Sequence, residues 1–156
     1  MKEMKQNGPI LVPVDFSPYS VSALVFAADL ADCVGKSLMV LHVVHDPGDE
    51  PGYYNKALKK KQLRRIEDAA ADMLEAFLVK VRKKFPDSKP LQQAESVLVK
   101  GLPRNRILEV AEQKKASMIV MGSKGETGLK HMVLGSAAER VVQLATVPVT
   151  VVKTAK

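Results

Sequence analysis

Residues 117–138 read S-M-I-V-M-G-S-K-G-E-T-G-L-K-H-M-V-L-G-S-A-A, and their order decides the architecture. Ser117 to Met121 is an apolar run too short for a helix and closed by a glycine, so it predicts a strand. Gly122 to Leu134 follows neither the helical nor the strand period and reads as irregular. Gly135 to Ala145 reads as a helix, and Val147 to Val152 as a last strand. Upstream, Gly101 and Pro103 lead into a helix carrying Ile107, Leu108 and Ala111, preceded by a strand at Ser96 to Lys100. The chain opens on an apolar, β-branched run from Ile10 to Asp15. Ser17 then offers an N-cap and Pro18 a first-turn proline, starting a helix whose Val21, Leu24, Val25, Ala28 and Ala31 share one face and which Gly35 closes. Ser37 to Val44 is nearly all apolar, as a strand covered on both faces must be. The alternation predicts an α/β domain over residues 1–156: an open five-stranded, mostly parallel sheet with helices on both faces, Rossmann-like in plan.

Between the second and third strands lie two further segments. Residues 46–57 carry Pro47, Gly48, Pro51 and Gly52 and predict a loop. Then Lys56, Lys59, Lys60, Lys61, Arg64 and Arg65, and later Lys80, Arg82, Lys83 and Lys84, flank an apolar stripe of Leu63, Ile66, Ala70, Met73, Phe77 and Val81. That spacing predicts one long amphipathic helix, followed by a break from Phe85 to Pro90. Much of the net charge of +7 falls here. No aromatic or base-reading pattern accompanies it, so a solvated face is favoured over a nucleic-acid or membrane surface.

Composition narrows the class. Hydrophobic residues make up 46% and aromatics 4%, with no Trp, so the core must be aliphatic. A single cysteine, Cys33, excludes an internal disulfide framework and reads as a small buried hydrophobe. No apolar run reaches membrane-spanning length, and Ile10 to Val14 is too short for a signal peptide; a cytoplasmic protein is expected.

In parallel sheets ligands collect at the carboxyl ends of strands, where strand order reverses. Of the strand ends here, only the fourth carries a glycine-rich loop. Glycines at 122 and 125 are expected to adopt positive φ and let successive N–H groups point at an anion. Gly135 and Ser136 open a helix, whose unpaired N–H groups make a second anion site. Lys124 and Lys130 add positive charge. Two such sites joined by nine residues suit the several phosphates of a nucleotide better than one small anion.

These residues carry a resemblance. Gly122-x2-Gly125-x9-Gly135-Ser136 resembles the phosphate loop of ATP-binding universal stress proteins. Ile-Leu-Val-Pro-Val-Asp-Phe-Ser at 10–17, Leu41-His-Val43, Gly101-Leu-Pro103, Ile119-Val-Met-Gly-Ser123 and Val147-Pro-Val-Thr-Val-Val152 are similar to that family in the same order. The resemblance implies ATP as ligand, with or without Mg²⁺, and a stress-response sensor or regulator. It implies Asp15 near adenine and ribose with Pro13 and Val14 beside it, and Val43 on adenine. Met121 and Gly122 would line the ribose, and Lys124, Gly125, Gly135, Ser136 and Ala137 the phosphates. Lys124 stands where relatives often have His or Arg, keeping the charge. The resemblance also implies a homodimer paired through the last strand, and the local sequence permits it: Val147, Val149, Val151 and Val152 form a β-prone run that, at a sheet edge, would offer free backbone groups, with Thr150 as a central donor.

Other readings stand beside these. Asp15 can cap the turn into the first helix, and Ser136 can be a simple helix cap. His42 and His45 lack metal-site spacing and read as core and surface histidines; His131 could face phosphate or solvent. Slow ATP hydrolysis is the alternative function, with Asp15 and Glu126 the obvious carboxylates near the loop. A phosphoacceptor receiver domain needs an aspartate ending the third strand, where Lys100-Gly101 stands.

Overall fold

The computed structural model describes residues 7–45, 56–125 and 134–153, with backbone alone for 56–64. Its elements are β1 (Ile10–Pro13), α1 (Pro18–Val34), β2 (Leu38–His45), α2 (Lys56–Lys84), α3 (Lys89–Gln92), β3 (Glu95–Gly101), α4 (Pro103–Gln113), β4 (Met118–Gly122), α5 (Ser136–Leu144) and β5 (Val149–Val152). The strands form one sheet in the order β3-β2-β1-β4-β5, and every pairing is parallel. Successive strands step outward from β1 to β3, and the chain then returns to the other side of β1 for β4 and β5. Strand order therefore reverses between β1 and β4.

Alternation along the central strands assigns the two faces. Ile10, Val12, Leu38 and Val40 pack against Ala23, Leu24, Ala27, Ala28 and Ala31 of α1, with Leu74, Leu78 and Val81 of α2 and Leu91 of α3. Leu11, Met39, Leu41 and Val43 pack instead on Ile107, Val110 and Ala111 of α4 and Ala138 and Val141 of α5. β1 has neighbours on both edges and helices on both faces, so its residues are wholly buried, which is why its run lacks polar alternation.

Local signals set the ends of α1 as expected. Ser17 Oγ accepts from the Ser20 N–H at 3.2 Å, Pro18 occupies the first turn, and Gly35 closes the helix at φ 65°. Its buried face is lined by alanines, while Val21 and Val25 lie at the flank, half-buried. Cys33 is exposed, not buried, because it falls on the face opposite Ala28 and Ala31.

The stripe of α2 is also displaced from the expected one. Ala70, Leu74, Leu78 and Val81 are buried, whereas Ile66 and Met73 are 49% and 54% exposed. At 100° per residue the buried four fall within one narrow arc, and Ile66 and Met73 lie on its flank. Nor is every basic residue solvated: Arg82 donates to the carbonyls of Leu91 and Ala94, both at 2.8 Å. This ties the end of α2 to α3, a short helix that begins at the end of the expected Phe85–Pro90 break and was not anticipated. Among the described residues, no helix is long and apolar enough to cross a membrane.

Candidate functional site

β1 ends at Pro13, two residues short of the expected Asp15, while β2 continues to His45. The missing rungs open a hollow between the carboxyl ends of β1, β2 and β4. A cavity of about 420 Å³ lies there, at the point where strand order reverses. Pro13, Val14, Asp15, Val43, Met121, Gly122, Lys124, Gly125, Gly135, Ser136 and Ala137 all line it. Its walls also include Ser20, Leu41, His42, Pro103, Ile107, Ser123 and Ala138, which the sequence reading did not assign to the ligand site. Glu126, Lys130, His131 and the middle of the glycine-rich segment lie outside the described residues.

Asp15 is held from the first turn of α1. Its Oδ1 accepts from Ser20 Oγ at 2.5 Å and from the Ser17 N–H at 3.1 Å, and the Asp15 N–H donates to Ser20 Oγ at 2.8 Å. The turn-capping role is therefore real, and the side chain also lines the cavity. The opposite oxygen faces the glycine loop: a Cβ on Gly125 would stand 2.9 Å from Asp15 Oδ2.

The glycines act differently from expectation. Neither Gly122, Gly125 nor Gly135 adopts positive φ; among described glycines only Gly35 and Gly101 do. What Gly122 and Gly125 need is the absence of a side chain. A Cβ on Gly122 would meet Tyr19 atoms at 2.8–3.0 Å, so this glycine lets the start of α1 approach β4. Gly135 closes the far end of the loop: its N–H donates to the Ser123 carbonyl at 2.6 Å. Gly135, not Ser136, is the N-cap of α5, with Ser136 the first helical residue. The N–H groups of Ser136, Ala137 and Ala138 precede the first intrahelical bond, Glu139 N–H to Gly135 C=O at 2.9 Å. They have no acceptor within the helix and lie at its positive end, beside Lys124.

The β2 wall supplies a second set of backbone groups. The Ile10 and Val14 N–H groups donate to the Ser37 and Leu41 carbonyls, so odd-numbered β2 residues turn their peptide groups toward β1. Val43 is the next in that series, and β1 has ended before reaching it. Its N–H and C=O are directed past the end of β1, where the cavity begins. His42, expected in the core, is half-buried at the cavity wall, with Nδ1 2.7 Å from the Val14 carbonyl. His45 is exposed as expected.

The site thus offers an apolar slot, a fixed carboxylate and the N–H groups of a helix N-terminus. Residues 6–153 match the model of the universal stress protein family. The chain belongs to the universal stress protein family. A universal stress protein of Methanocaldococcus jannaschii is 32% identical to it over 153 residues, covering 94% of this chain and 82% of the relative. The structure of universal stress protein UspA from Lactobacillus plantarum superposes with a TM-score of 0.78 at 26% identity, over 94% of this chain and 98% of that one. A universal stress protein from Archaeoglobus fulgidus, determined in complex with dAMP, shares the fold at a TM-score of 0.61 and 24% identity, over 94% and 98% of the two chains. The parallel sheet with helices on both faces is the fold of these proteins.

Proposed function

We propose that this universal stress protein is a cytoplasmic, ATP-binding regulator or sensor, with residues 1–156 acting as one nucleotide-binding domain. One observation carries the reading: a single cavity joins an apolar slot, a carboxylate and the N-terminus of α5 in the order that base, ribose and phosphates require. The base would enter between Pro13, Val14 and Val43, with the Val43 N–H and C=O available to its edge. Asp15 would accept from ribose hydroxyls, with Met121 and Gly122 beneath. The phosphates would take the N–H groups of Ser136 and Ala137, with Gly125, Gly135 and Lys124 around them. An adenine nucleotide on this fold is what the Archaeoglobus fulgidus protein holds.

Among the described residues no three His, Cys, Asp or Glu side chains gather as a metal site. The described residues form no Mg²⁺ cage, and Mg²⁺ bound with the nucleotide would ride on phosphate oxygens and water. Slow ATP hydrolysis is the second reading, and Asp15, the one carboxylate lining the cavity among the described residues, is already engaged by Ser17 and Ser20. Turnover is therefore expected below roughly 1 per second. The protein would act as a homodimer paired through β5, which lies at a sheet edge.

The test is direct: purified protein is denatured, and released nucleotide is identified by absorbance and mass. Adenine nucleotide is expected. Its absence, together with no uptake on adding ATP, would remove the proposal.

A further inference from the structure

We infer that His42 is a positioning residue that keeps the Val43 N–H out of the β-ladder and so available to a nucleobase. The inference rests on the nucleotide-binding proposal above and adds a cause for one of its contacts.

The ladder itself supplies the argument. Rungs between β1 and β2 run Ile10 N–H to Ser37 C=O through Val14 N–H to Leu41 C=O, the last at 2.8 Å. In a parallel pair the next rung would be Val43 N–H to Val14 C=O. That rung is not made. The Val14 carbonyl instead lies 2.7 Å from His42 Nδ1. A carbonyl only accepts, so Nδ1 carries the hydrogen, and the imidazole competes with the Val43 N–H for the same carbonyl.

Two features hold the ring in that pose. Phe16 stacks on His42 with centroids 4.3 Å apart and planes at 30°, and Phe77 of α2 tilts against Phe16 at 5.5 Å. Phe16 sits at φ 67°, a left-handed conformation uncommon for a bulky residue. That turn carries the chain away from β2 straight after Asp15. The strained residue, the stack and the histidine bond together end the ladder one rung early, at the place where the cavity needs an unspent donor.

The experiment uses the full chain, ¹⁵N-labelled. Amide exchange at Val43 is followed without nucleotide, and calorimetry measures affinity for ATP and for inorganic triphosphate. Native Val43 should exchange as an unbonded amide. In His42→Leu, Val43 N–H should close on the Val14 carbonyl: its exchange slows at least tenfold, ATP binds about tenfold more weakly, and triphosphate is unaffected within a factor of two. His42→Asn, whose amide donor can occupy the Nδ1 position, should restore both readouts. Native exchange at Val12 and Val14 verifies folding, and His42→Ala serves the same comparison should His42→Leu fail to fold. Unchanged Val43 exchange in the variant, or slowed exchange with unchanged ATP affinity, would overturn the inference. If the native protein binds no ATP, the nucleotide proposal fails by itself, and the exchange data still decide whether His42 holds the ladder open.

Discussion

Asp15 shows how much one residue does and how much of it can be read in advance. A carboxylate ending an apolar run, just before Ser-Pro, marks both a helix entry and a strand-end site, and the structure gives it both positions. Its partner Ser20 was not legible, because only the closed first turn of α1 brings that hydroxyl back five residues. His42 was less legible still: its acceptor, Val14, is 28 residues away and depends on where β1 stops. The glycines were found for the wrong reason, since spacing reveals that a side chain is excluded but not what excludes it. For Gly122 it is Tyr19. Replacing Asp15 by Ala should weaken ATP about tenfold or more while leaving inorganic triphosphate nearly unchanged, measured by calorimetry. It should also lower stability by about 1–3 kcal/mol, since Ser20 and the Ser17 N–H lose their acceptor. Asp15→Asn, which keeps an acceptor oxygen, should recover most of that stability. Equal loss of ATP and triphosphate affinity would mean that Asp15 acts at the phosphates.

At the scale of elements, every strand and the four long helices were legible from periodicity and punctuation, and apart from the short α3, which was not foreseen, the misses are shifts of phase or end. α2 is the clearest case. Its sequence holds enough apolar residues to draw two neighbouring stripes, and which one docks depends on how α2 lies across β2 and β3. Leu74→Ala, which empties a site 5% exposed, should destabilise the protein by about 2–5 kcal/mol. Met73→Ala, one residue away but 54% exposed, should cost less than about 0.5 kcal/mol. Denaturant melts of the two variants distinguish the stripes, and the reverse order would contradict the packing described. β5 carries a similar correction. Ile119 and Ser123 donate to the Pro148 and Val152 carbonyls, so even-numbered β5 residues face β4, and Thr150 is an inward donor. The outward groups belong to Val149 and Val151. For pairing through this edge, Val151→Pro is therefore the informative substitution. Sedimentation of the native protein at micromolar concentration should give twice the chain mass, and Val151→Pro should shift it toward monomer. A monomeric native protein would refute the β5 dimer.

For the whole molecule, βα alternation predicted a parallel sheet but not its strand order, because alternation is the same whichever side the chain returns to. Placing β4 beside β1 brings Gly122 to Gly125 against Asp15 and opens the cavity between strands distant in sequence. The family resemblance anticipated which residues would meet there, and the topology supplies the reason that they do. The central claim is that this meeting place holds a nucleotide with its phosphates at the start of α5. Gly135 is the position on which to test it: a Cβ there would lie 3.4–3.7 Å from Ser123, Lys124 and Gly125 atoms, ordinary contact, so a side chain can start there without a clash with the described residues, and its further atoms would fill the approach to the helix N-terminus. Calorimetric titration of native protein and folded Gly135→Val with ATP is the deciding measurement. Saturable binding to the native protein with at least a tenfold loss in the variant is predicted; equal affinity in both would contradict the assignment.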